Sequence, residues 1–117
     1  MEIKIGQTFT KEVYVTKDNV ASKFEADLPD VFSTPDMIAE MESASYHLIK
    51  NNISEDLTSV GTHVNVSHEK GIVIGDLAII TAKVIEIDRK KITFAVKAMH
   101  NDDIVGQGTH SRFIIKK

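Results

Sequence analysis

The sequence predicts an α+β fold in which one long helix lies against a five-stranded antiparallel sheet. Three observations predict it: one segment carries apolar residues at helical spacing, five segments have strand character, and short turn-rich gaps separate the last four strands. A chain of 117 residues fits one domain, residues 1–117, with a single core and a single expected site.

The first strand spans residues 8–16, with Phe9, Val13 and Val15 in one phase and Thr8, Thr10, Glu12 and Tyr14 in the other. Alternation fails from Lys17 to Ser33, where Asp18-Asn19, Leu28-Pro29 and the isolated Phe24 and Phe32 describe a long loop or lid. Thr34-Pro35-Asp36 marks a helix start: threonine can cap, proline is tolerated in the first turn, and aspartate suits the positive end of the dipole. The helix is expected over roughly 35–51, with Thr34 as its cap and Met37, Ile38, Met41, Ala44, Ser45, Leu48 and Ile49 on its apolar stripe. Small residues at Ala39, Ala44 and Ser45 allow other elements to approach closely, as a buried helix requires. Four strands follow at 58–68, 76–87, 91–100 and 104–115. Gly71 and Gly75, then Asp88-Arg89-Lys90, then Asn101-Asp102-Asp103 separate them, and gaps this short imply antiparallel neighbours.

Composition narrows the chemistry. Hydrophobic residues make up 42% and charged residues 26%, which is ordinary for a folded globular chain. A net charge of −3 argues against a nucleic-acid-binding surface. The absence of cysteine excludes disulfides, thiolate zinc sites and cysteine nucleophiles. The first residues lack the apolar core of a secretory signal, and no apolar run approaches the ~20 residues needed to span a membrane, so a cytoplasmic protein without a membrane partner is expected.

Five residues could carry or support a reaction. Glu42 falls mid-helix on the flank of the apolar stripe, at a partly buried boundary, where a helical glutamate can equally be a surface residue. Strand alternation places His68 on the face shared by Val60, Thr62, Val64 and Val66, at a strand end that Gly71 would leave open. Thr34 offers a hydroxyl beside the free N–H groups of a helix start, which attract an anionic or carbonyl oxygen. Gly61 interrupts a strand, a sign of a bulge or a close backbone approach. Arg112 in the last strand is either a cross-strand charge partner or a site residue. His47, His63, His100 and His110 show no metal-ligand spacing and are taken as surface or structural; no metal or cofactor is expected.

The order β-α-β-β-β-β is that of the hot-dog fold, a curled sheet wrapped around a central helix. The run Thr34-Pro35-Asp36-Met37-Ile38-Ala39-Glu40-Met41-Glu42, followed by Val60-Gly61-Thr62-His63-Val64-Asn65-Val66-Ser67-His68, resembles the fluoroacetyl-CoA thioesterase-like family of hot-dog proteins. Gly75-Asp76 and the closing run from Ile104 to Arg112 extend the resemblance over roughly residues 10–115. It implies a homodimeric acyl-CoA thioesterase acting on a short acyl group. The catalytic set it implies is Thr34, Glu42 and His68, with Gly61 and Arg112 lining the site. On this reading Glu42 attacks or activates water, His68 shuttles a proton, and Thr34 bonds the substrate or orients Glu42. The chain departs from the family in the loop before the helix, which offers Phe24, Leu28 and Phe32 in place of an aromatic lid. Leu28 and Phe32 are expected either to cover the acyl group or to plug the open end of the sheet. The alternatives are an acyl-CoA-binding domain without catalysis and a hot-dog hydratase or dehydratase.

Overall fold

The computed structural model describes all residues, 1–117. Its elements are β1 (Thr8–Tyr14), a single 3-10 turn (Ala21–Lys23), α1 (Thr34–Lys50), β2 (Leu57–His68), β3 (Leu77–Asp88), β4 (Lys91–His100) and β5 (Asp103–Lys116). The strands form one antiparallel sheet in the order β1-β3-β4-β5-β2, and α1 packs against all five. Each expected strand is present with its ends within about two residues, because apolar alternation and turn residues are local signals. Two of the turns carry the strained backbone that tight reversals need: Arg89 and Asn101 adopt positive φ. No helix is long and apolar enough to cross a membrane.

The helix buries Met37, Met41, Ala44, Ser45, Leu48 and Ile49 against the inner faces of the strands, where Ala78, Ile80, Ala82, Val84, Phe94 and Val96 meet them. Small residues on both sides let the helix sit close to the sheet. At Gly106 the helix comes too close for a side chain, since a Cβ there would lie 2.5 Å from the Met37 sulfur.

Two expectations need correction. Thr34 is not the helix cap. Ser33 is, accepting the Asp36 N–H at 3.0 Å, while Thr34 opens the helix and Pro35 follows it. Asp36 secures this arrangement by accepting from the Ser33 hydroxyl and pairing with Lys23 at 2.8 Å. The second correction concerns β2. Its pairing with β5 slips between Gly61 and His63, so Gly61 faces Arg112, His63 faces Ser111, and Thr62 is the extra residue. A bulge reverses the parity of everything beyond it. Val60 therefore lies on the outer face, opposite the exposed Phe113, while Val64, Val66 and His68 lie inward with His110, Gly108 and Gly106. Without the bulge, Gly61 and His68 would point to opposite faces; with it, they share one.

The loop before the helix is stitched down at its base. Val20 bridges to Phe32 and Val31 to Val73, the Phe32 N–H donates to the Ile72 carbonyl at 2.8 Å, and the Ser33 N–H donates to that of Asn19 at 2.9 Å.

Candidate active site

The expected site residues fall into two stations on the inner side of β2. At the first, the Thr34 hydroxyl and His68 Nδ1 are 2.7 Å apart. Capping by Ser33 is what leaves the Thr34 hydroxyl available for this contact. His68 Nε2 is buried and makes no hydrogen bond of good geometry, with the Lys70 backbone near enough to influence the ring. Burial pulls the imidazole below the usual histidine range, with the Lys70 backbone opposing, so the ring is neutral at pH 7. A shallow cavity beside it is lined by Ser33, Thr34, His68, Glu69 and Gly71. The Thr34 hydroxyl and His68 Nδ1, exposed beside this cavity, are where a ligand group can bond.

The second station lies farther along the helix. Glu42, its side chain 41% exposed, sets Oε1 3.8 Å from Arg112 Nη1, in an open depression shared with Ala39, Ser43 and Tyr46. Arg112 is only 7% exposed and is anchored from behind: Nε donates to Ser59 Oγ at 2.9 Å and Nη2 to the Ser59 carbonyl at 3.0 Å. Burial lowers the guanidinium's pKa while Glu42 and Tyr46 oppose the shift, and an arginine stays charged regardless. Gly61 forms the floor. A Cβ on it would sit 3.0 Å from Glu42 Oε1, 3.2 Å from His110 Cε1 and 3.4 Å from Arg112 Nη1. Glycine is needed here for close approach, since its φ is not in the left-handed region.

No hydrogen bond or ion pair links the two stations. Thr34 and Glu42 stand eight residues apart on α1, which is about 12 Å of helix rise. The loop residues divide as well. Phe32 is 0% exposed and belongs to the core, whereas Leu28 is 43% exposed. Burial favours the plug for Phe32, and Leu28 is too exposed to act as one.

Sequence reasoning set aside one residue that the fold brings into the site. His110 is 1% exposed, bonded through Nδ1 to the His63 carbonyl at 2.8 Å and through Nε2 to Arg112 Nη1 at 3.2 Å. The available signal was spacing: His110 and Arg112 are two apart on one strand and so share a face.

A family model described as fluoroacetyl-CoA-specific thioesterase matches residues 15–117. The fluoroacetyl-CoA thioesterase of Streptantibioticus cattleyicolor is 26% identical over 119 aligned positions, covering 97% of this chain and 86% of that protein. A solved structure of a fluoroacetyl-CoA thioesterase superposes with a TM-score of 0.91 at 25% identity, over 97% of this chain and 89% of that one. A thioesterase superfamily member from Thermus thermophilus shares the fold, with a TM-score of 0.91 at 22% identity over 98% of this chain and 85% of its own. With the hot-dog architecture in place and the family model spanning nearly the whole sequence, this chain belongs to the fluoroacetyl-CoA-specific thioesterase family.

Proposed function

We propose that residues 1–117 act as one domain that hydrolyses a short acyl thioester of coenzyme A in the cytoplasm, using Thr34, Glu42 and His68. The observation that carries the reading is the exposed Thr34–His68 bond, which couples a hydroxyl beside the cavity to a neutral imidazole, so a proton can pass between a ligand and the ring through this pair. Glu42 supplies the carboxylate, held toward the cavity by the Arg112 charge. In the reaction an oxygen adds to the thioester carbonyl carbon, the C–S bond breaks, and the departing thiolate takes up a proton. Glu42 either adds directly, giving an anhydride that water then cleaves, or removes the proton from the attacking water. Both routes end in a carboxylate and free coenzyme A.

The 12 Å of helix between the stations is reconciled by a homodimer. β2 is a twelve-residue edge strand with only β5 beside it, and Val60 and Val64 along it are exposed. Open edges of this length are normally paired. Joining two β2 edges antiparallel reverses their direction, which carries the Thr34–His68 end of one protomer toward the Gly61–Glu42 end of the other. The site is then composite.

Thiol release from a panel of acyl-CoAs tests the activity: hydrolysis liberates thiol, whereas hydration or simple binding does not. Glu42→Gln and His68→Ala should each lower turnover by ~10² or more in folded protein. Co-expressing the two variants tests the composite site. Random pairing makes half the dimers mixed, each with one intact site, so activity should return to roughly a quarter of the parent's. No recovery in a verified mixed dimer places the whole site within one chain.

A further inference from the structure

Behind Glu42 lies a cluster of which the proposed chemistry uses only Arg112. We infer that His110 is a positioning residue, which in its neutral Nδ1–H form holds Arg112 Nη1 against Glu42. The inference rests on the hydrolase reading and adds a residue to it.

The hydrogen bonds leave the imidazole one state. The His63 carbonyl can only accept, so Nδ1 must carry the hydrogen; Arg112 can only donate, so Nε2 must carry the lone pair. Protonating Nε2 would turn this contact into two donors facing each other beside a fixed positive charge. The surroundings hold the ring neutral. Burial pulls its pKa below the usual histidine range, Arg112 and His63 add to that, and the His63 backbone and Glu42 oppose it.

The consequence for Arg112 is geometric. Ser59 fixes Nε and Nη2 through its hydroxyl and carbonyl, and His110 is the sole hydrogen-bond partner of Nη1. Nη1 is also the atom that faces Glu42 Oε1, at 3.8 Å. Without His110 the guanidinium keeps its Ser59 anchors and its rigid plane, but it loses the third hydrogen bond that stops this plane tilting about its Nε–Nη2 edge and the Nη1 group turning away from the carboxylate. The β2 bulge belongs to the same device, because the carbonyl that orients His110 comes from His63, the residue at which the register slips. A purely structural histidine would need only to fill volume beside Phe94, whose ring is 6.5 Å away and nearly parallel.

The test compares His110→Phe, which keeps a flat ring next to Phe94, with His110→Gln, whose carbonyl oxygen can still accept from Arg112. With acetyl-CoA or the best thioester of the panel, His110→Phe should lose roughly tenfold or more in kcat with KM little changed, and His110→Gln should recover most of it. Equal kcat in parent and His110→Phe overturns the inference, as does an equal loss in both variants. Nitrogen-15 spectra provide a readout that needs no turnover. The parent should show His110 as the Nδ1–H tautomer and slow rotation of the Arg112 Nη1 group, with rotation faster in His110→Phe. An Nε2–H tautomer, or identical rotation rates, overturns it. A parent that releases no thiol from any acyl-CoA sinks the hydrolase reading instead, and the spectra alone then decide whether His110 anchors Arg112.

Discussion

Gly61→Ala is the most economical probe of the Glu42 station. The added methyl would meet Glu42 Oε1 at 3.0 Å, His110 Cε1 at 3.2 Å and Arg112 Nη1 at 3.4 Å, so the carboxylate must retreat by about 0.4 Å to reach ordinary contact. A misplacement of ~1 Å in a catalytic group costs on the order of 10²-fold, so a retreat of this size corresponds to roughly a five- to tenfold loss in kcat. Stability should move the other way or not at all. The Gly61 φ is one an alanine can adopt, and replacing glycine at such a position stabilises by ~0.4–1 kcal/mol through the unfolded chain, offset here by the close contact. The assay is continuous thiol release at saturating acyl-CoA alongside a thermal melt. Loss of kcat at unchanged or raised Tm supports a floor shaped for the carboxylate. Parent-like kcat would refute the reasoning, and a large fall in Tm would show that the methyl disrupts packing rather than the site.

The two loop residues should separate cleanly. Phe32→Ala removes a fully buried ring and should cost ~3–5 kcal/mol in a denaturant melt, whereas Leu28→Ala should stay within about 0.5 kcal/mol. If Leu28 covers the acyl group, its loss should change the ratio of kcat/KM between short and longer acyl-CoAs; an unchanged ratio removes it from the site. His68 and His110 both have folded pKa values depressed below about 6.5, so the unfolded chain takes up protons first on acidification. Stability from these two residues is complete above about pH 6.5 and declines as the pH falls through their folded values, so a Tm that rises on acidification below that point contradicts the assignment. Hydrolysis should hold its neutral rate down to the same region and fall below it as the two rings charge.

Much of the architecture could be read without coordinates, and so could the candidates for the site. Thr34, Glu42, Gly61, His68 and Arg112 were each visible as a residue type in a suggestive place, and each does lie on the inner side of the sheet or at its opening. Their roles were harder to read, because a hydroxyl at a helix start looks the same whether it caps or not. Ser33 and Thr34 compete for that position, and the outcome depends on Asp36 and on Lys23, thirteen residues before it in the loop.

By itself the sequence determined the order, type and extent of the elements, since apolar period and turn chemistry act over a few residues and need no distant partner. Tertiary structure alone decided which residues face which. The parity of β2 changes at Gly61 because β5 pairs across a bulge, and that single slip puts His68 and Gly61 on one face and moves Val60 to the other. It also orients the His63 carbonyl toward His110, and through Arg112 toward Glu42, across residues separated by 47 positions in the chain. The helix rise that parts Thr34 from Glu42 was implicit in their spacing, but only the pairing of strands revealed which groups stand at each end. Contacts of that kind are made between segments far apart in sequence, where local propensity carries no information.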